Sequence, residues 1–237
     1  MFKNGETPAF QTSIFYQFQV QYPDTLNPTQ TSTKGALFTP SYDNKIYRKF
    51  SIRTLEGKIE NKLRLQEELG WVKEAKIPLL CIAGGMTDEQ GGTELEEVIG
   101  GIMSLNTLLI VRGIGSEKYG KLFTQLEHEY GHRITILKDE EVMQRKMYAA
   151  ADMSLFFAPA EEEELKRCLA YGAVPISPEQ DLLADYNPVQ ESGNAFIASP
   201  HTPWNWFAAL VRGTETYKLP YDWRTIQKHC MESVNGE

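Results

Sequence analysis

From residue 52 onward the chain alternates short apolar runs with helix-length stretches, and this alternation restricts the fold more than any other feature. "IPLLCIAGG", "TLLIVRGIG", "RITIL", "MSLFFAP" and "AVPIS" read as buried strands, with "NAFIA" as a short sixth. Between them "TELEEVIGGIMSL", "SEKYGKLFTQLEHEYG", "DEEVMQRKMYAAAD" and "EEEELKRCLAYG" read as helices, the third capped by Asp139. Strands joined by helices of about 10 to 15 residues form right-handed βαβ units and hence a doubly wound parallel sheet. Ahead of them, "TLEGKIENKLRLQEELG" places Leu55, Ile59 and Leu63 at fourfold spacing, with Gly70 positioned to end that helix. "TPWNWFAALVRG" and "YDWRTIQKHCMESV" predict two later helices.

Residues 1–50 differ from the rest and read as an arm and a connecting loop, leaving residues 51–237 for the α/β domain. Ile14, Tyr16, Phe18, Val20 and Tyr22 alternate with glutamines, the period of a half-buried strand. Its aromatic face is too apolar for water, so the strand is expected to be paired or docked. "PDTLNPTQTSTKGALFTPSYDN" then reads as a long loop.

Composition narrows the function classes. A net charge of -8 opposes nucleic-acid binding, which needs a basic face. No apolar run approaches the roughly 20 residues of a membrane span, and the first residues lack a signal pattern, so no membrane partner is expected. Cys81, Cys168 and Cys230 are scattered and odd in number, and read as reduced, buried thiols of a cytoplasmic protein.

Several short motifs have plain structural readings. "HEYGH" fits a zinc pattern. However, His128 and His132 lie about 200° and 240° around the helix from Leu126, away from its apolar face. No metal site is expected there. "GGMTDEQGG" and "RGIGSEKYG" follow strands without completing a nucleotide fingerprint. Their glycines suit turns first and close approach of a ligand second. Trp204 and Trp206 read as core or docking surface before sugar platform.

"FSIRTLEGKIENKLRLQEELG", "PLLCIAGGMTDEQGG", "LLIVRGIGSEKYGKL", "DEEVMQRKMYAAADMSLFFAP" and "LAYGAVPI", in that order, resemble the C-terminal half of bacterial glycogen and starch synthases. The likeness covers residues 20–231. It implies the Rossmann-like C-terminal domain type of the GT-B fold, which holds ADP- or UDP-glucose in a cleft opposite an acceptor domain. It implies no cofactor and no metal at the diphosphate. Family members hold the diphosphate with an arginine and a lysine in a pattern like S-R-L-T-x-Q-K-G. A second loop, like E-P-C-G-L-T-Q-L, adds a glutamate and backbone amides.

Aligned through Thr87 and Gly91, Gly85 takes the arginine position and Gln90 the lysine position. The second loop is shorter, and a run of four glutamates, residues 161–164, replaces its cysteine-glycine turn. Gly113 and Gly115 match the family's G-x-G turn. The resemblance thus implies a degenerate donor pocket of Gly84, Gly85, Gln90, Gly91, Gly113, Gly115, Asp139, Glu140 and Glu161. It implies no catalytic residue.

The glutamates are explained by their place in a helix's first turn, where each is favourable by about 0.3–1 kcal/mol. Against a phosphate at roughly 6 Å and an effective dielectric of about 20, each would cost about 3 kcal/mol. They read as a helix start that has replaced a phosphate site. The expected function is a glycosyltransferase-like binding or assembly subunit, inactive alone because the chain has no room for an acceptor domain. The alternative is the donor-site subunit of a split synthase, whose partner is a separate acceptor-domain chain and whose ligands are a nucleotide sugar and an α-glucan.

Overall fold

The computed structural model describes Gln19–Val20 and residues 38–235. Its elements are β1 (Gln19–Val20), α1 (Glu56–Glu68), β2 (Leu79–Ile82), α2 (Gly92–Ser104), β3 (Leu108–Arg112), β4 (Ile114–Gly115), α3 (Glu117–Tyr130) and β5 (Ile134–Leu137). They continue with α4 (Glu141–Ala150), β6 (Met153–Leu155), α5 (Glu162–Ala170), β7 (Val174–Ser177), β8 (Phe196–Ile197), α6 (Pro203–Tyr217) and α7 (Pro220–Asn235). Six parallel strands form one sheet in the order β5-β3-β2-β6-β7-β8. This is the dinucleotide-fold order, reversing direction between β2 and β6. With right-handed crossovers the reversal places α2 and α3 on one face and α4 and α5 on the other. Helix contacts follow this division: α2 packs on α6, α1 on α4, and α5 on α7.

Strands β2, β5, β6 and β7 are buried at every residue, as parallel strands covered on both faces must be. Of the expected strand at residues 14–22, only Gln19 and Val20 are described. They pair in parallel with Ile114 and Gly115. Beyond residue 38, Ile46 and Phe50 join the core, and Asp43 pairs with Arg145 at 3.0 Å. Among the described residues no helix is long and apolar enough to cross a membrane. Cys81, Cys168 and Cys230 are free and buried.

Helix α1 overturns the face drawn from its leucines. Ile59 is 52% exposed, whereas Lys58, Asn61, Lys62 and Gln66 are buried beside Leu65. Each buried polar group has found a partner that replaces water. Lys58 Nζ donates to the carbonyls of Tyr148 and Ala149 at 3.0 and 3.4 Å, closing the C-terminus of α4. Lys62 Nζ meets Asp152 at 2.7 Å, and Asn61 brackets the backbone of Tyr47 and Arg48. Gly70, at φ +71°, follows the helix as expected.

Candidate functional site

The reversal in strand order opens a crevice beyond the carboxyl ends of β2 and β6, where ligands of doubly wound sheets bind. A cleft of about 410 Å³ occupies it, walled by the exits of β2, β3 and β6 and by α5. Gly84, Gly85, Gln90 and Glu161 line it. Gly91, Gly113, Gly115, Asp139 and Glu140 are outside the lining.

The glycines are accounted for by loop-against-loop packing. Met86 N–H donates to the Ile114 carbonyl at 3.2 Å, and Ser116 N–H donates to the Met86 carbonyl at 3.0 Å. At that contact Gly85 has φ +79°, and a Cβ there would sit 2.7 Å from the Ile114 oxygen. The arginine position of the resemblance is therefore closed to a side chain unless the two loops part. Gly91, at φ +83°, would bring a Cβ within 2.5 Å of the Phe157 backbone, and one on Gly113 would lie 2.8 Å from the Leu137 oxygen. Gly115 is pressed against the Met86 backbone in the same way. At the lysine position, Gln90 turns its amide back to donate to the Gly84 carbonyl at 2.8 Å.

Positive charge enters instead from two residues that the motif comparison missed. Arg112 ends β3, and Arg167 lies on α5; both line the cleft. A basic residue closing the apolar run "LLIVR" was the available signal for the first. For the second it was helical spacing, since Glu161, Glu164 and Arg167 recur every three residues. Arg112 Nε donates to Asp139 at 2.6 Å, while its Nη1 reaches Glu164 at 3.3 Å and the Ala83 carbonyl also at 3.3 Å. Burial works against this guanidinium's charge, but Asp139 and Glu164 together hold its pKa above the ordinary value.

Asp139 is thereby corrected: it does not cap α4. Glu140 is the N-cap residue, with no side-chain capping bond, and the Asp139 carboxylate accepts from Arg112 and from Gln144 Nε2 at 2.6 Å.

The four glutamates divide. Glu161, Glu162 and Glu163 are exposed, and Glu162 pairs with Lys166 along the helix at 2.6 Å. Glu164 turns inward, accepting from the Tyr148 hydroxyl at 2.6 Å. Burial raises its pKa above the ordinary value, opposed by Tyr148, Arg112 and Arg167. Arg167 Nη1 stands 3.9 Å from Glu164, its guanidinium stacks 4.5 Å from the centre of the Phe38 ring, and its buried Nε has no hydrogen-bond partner among the described residues.

The remaining motifs lie elsewhere. His128 and His132 are both exposed, and α3 ends before Gly131. Among the described residues no group of three or more histidine, cysteine or acidic side chains is placed to hold a metal ion. Trp206 is buried against Phe157 at 4.9 Å between ring centres, whereas Trp204 is 82% exposed, so the two form no common platform.

No family model matches the chain. It is 33% identical over 201 residues to the glycogen synthase of Fervidobacterium nodosum, a match covering 82% of this chain and 41% of that protein. It is 29% identical to the glycogen synthase of Clostridium perfringens, covering 84% and 43% respectively. The chain thus spans less than half the length of these curated relatives. Among solved structures, the catalytic domain of starch synthase IV from Arabidopsis thaliana, bound to ADP and acarbose, superposes with a TM-score of 0.72 at 20% identity. That match covers 82% of this chain and 42% of that one. The C-terminal domain of a group 1 family glycosyl transferase from Francisella tularensis is covered over 93% of its length, with a TM-score of 0.55 at 14% identity. Over most of its length, then, this chain is homologous to the glycogen and starch synthase family, and its sheet is the Rossmann-like C-terminal domain type of the GT-B glycosyltransferases.

Proposed function

We propose that the domain is a glycosyltransferase-like binding or assembly subunit of cytoplasmic glucan metabolism whose donor-type cleft has lost its hold on a diphosphate. The observation that carries this reading is the cleft's charge arrangement. Gly85 and Gln90 stand where the resemblance calls for an arginine and a lysine, and Arg112 is held by Asp139 and Glu164. A diphosphate entering the cleft would meet Glu89, Glu161 and Glu164. Each such encounter costs about 3 kcal/mol at roughly 6 Å and an effective dielectric of about 20. Loss of even one preorganised stabilising donor typically slows transfer by about 10²–10³.

The test is calorimetry with ADP-glucose, UDP-glucose and maltooligosaccharides, with and without magnesium. The ADP and acarbose of the starch synthase IV structure make those two ligand classes the natural first probes. Micromolar binding of a nucleotide sugar would reject the reading.

A second reading is favoured by Arg167, a guanidinium in the cleft whose Nε has no hydrogen-bond partner among the described residues. In it, the domain is the donor-site subunit of a split synthase, completed by an acceptor domain on a separate chain. Glucose incorporation into glycogen only when the two chains are mixed would support it. Incorporation by this chain alone would reject both readings.

A further inference from the structure

A larger cavity lies at the opposite end of the sheet, independent of the donor-type cleft. It encloses about 540 Å³ between the start of α1, the residues leading into β2 and β6, and the corner joining α6 to α7. That is the size of a small-molecule site. Tyr217, Pro220 and Trp223 supply much of its apolar wall, and the half-exposed Ile59 lies on its solvent side.

Its charges are unbalanced. Lys58, Lys76, Lys218 and Arg224 line it against only Glu56 and Asp152, in a chain whose net charge is -8. Both acids are already matched. Asp152 accepts from Lys62 at 2.7 Å and from the Leu79 N–H at 2.8 Å, and Glu56 pairs with Arg224 at 2.7 Å. Lys218 is satisfied by Glu215 at 2.6 Å. Lys58 and Lys76 therefore remain, among the described residues, without a carboxylate of their own.

Lys58 is the more consequential of the two. It is 2% exposed, and its ammonium is held by two backbone carbonyls and by the Phe50 ring at 5.8 Å. A buried ammonium with no directly paired carboxylate is costly to the fold, and an anion brought into the cavity would relieve that cost.

We propose that this cavity binds an amphipathic monoanion, its apolar body against Tyr217, Pro220 and Trp223 and its charged head answered by Lys58 and Lys76. The apolar wall selects the body, and the unmatched ammoniums select the sign of the head. Burial pushes the Lys58 ammonium down to about 8, against the pull of Asp152 and of Cys81, Cys168 and Cys230 around it. The preference for an anion is therefore expected to fade as this lysine loses its proton.

The experiment is calorimetry on the full chain with decanoate, decanol and decyltrimethylammonium, all below their micelle concentrations. Decanoate is expected to bind at least about tenfold tighter than decanol, and the cation not measurably. Raising the pH from about 7 to about 10 is expected to weaken decanoate and leave decanol unchanged. Ile59→Asp, at an exposed position, sets a carboxylate at the cavity and is expected to weaken decanoate by about tenfold; Lys76→Gln weakens it by about threefold. Lys58→Met is expected to erase the discrimination between decanoate and decanol. Should that variant fail to fold, the two exposed substitutions decide. Equal affinity for decanoate and decanol, no binding of either at about 1 mM, or decanoate binding untouched by Ile59→Asp would overturn the proposal.

Discussion

Arg112 joins two carboxylates that belong to separate crossovers, Asp139 before α4 at 2.6 Å and Glu164 in α5 at 3.3 Å. One guanidinium thus ties together the exits of three strands beneath the cleft. Tyr148 and Gln144 complete the network by donating to Glu164 and Asp139.

Removing Arg112 is expected to be severe. Arg112→Met leaves two largely buried carboxylates without their shared cation, and a loss of about 3–5 kcal/mol in urea titration follows. Glu164→Gln is expected to be milder. Asp139 still holds the arginine, and the glutamine carbonyl still accepts from Tyr148. The reverse ranking would refute the role given to Arg112.

Nucleotide sugars are expected to bind with Kd no tighter than about 1 mM, equivalent to about 4 kcal/mol. A cation placed at Gly85 would be strained by its φ of +79° and would force the Ile114 loop away. The informative variant is Gln90→Lys with Glu161→Gln and Glu163→Gln, which leaves the buried Glu164 intact. Its affinity for ADP-glucose in calorimetry is expected to rise. An unchanged or weaker affinity would disconnect the acidic run from the cleft's selectivity.

Gly91→Ala tests whether the glycines answer to packing. The left-handed backbone costs roughly 1–2 kcal/mol, and the clash with the Phe157 backbone adds about 1–3 kcal/mol. Thermal unfolding of the variant should show a clear loss of stability without any ligand present. A variant as stable as the parent would return these glycines to a ligand-binding explanation.

The Lys58 ammonium gives stability a pH signature of known sign. Its folded pKa of about 8 lies below the ordinary 10.5. Between those values the unfolded chain binds more protons, so this lysine's contribution rises with pH across the window and is flat outside it. The full span is about 3 kcal/mol. The buried thiols of Cys168 and Cys230, pushed up by burial, act in the opposite sense above the ordinary thiol range. The measurement is therefore the difference between the parent and Lys58→Met, followed by denaturant titration at each pH. A difference that does not change between about pH 8 and 10.5 would count against a buried, charged Lys58.

The order and type of the helices and of the six main-sheet strands were legible in the sequence, because periodicity and turn residues are local signals; β4, read as the tail of the β3 strand, belongs to a separate pairing with β1. The exposure of His128 and His132 was legible for the same reason: a helical wheel needs only the residues on it. Long-range partners decided the rest. The fourfold spacing put Ile59 on the inner face of α1, whereas Lys58 and Lys62 are the residues that turn inward. The groups that satisfy those lysines, the α4 carbonyls and Asp152, arrive from 90 residues away. Asp139 looked like a cap until tertiary packing set Arg112 beside it. The glutamate run declared a helix start by itself. Only the packing of Leu165, Cys168 and Leu169 chose which of the four would face inward, and it chose Glu164. Likewise, the motif comparison could register the cations missing at Gly85 and Gln90. That Arg112 and Arg167 enter the same cleft is a consequence of strand order, which sets β3 and β6 on either side of β2 and which no local pattern encodes.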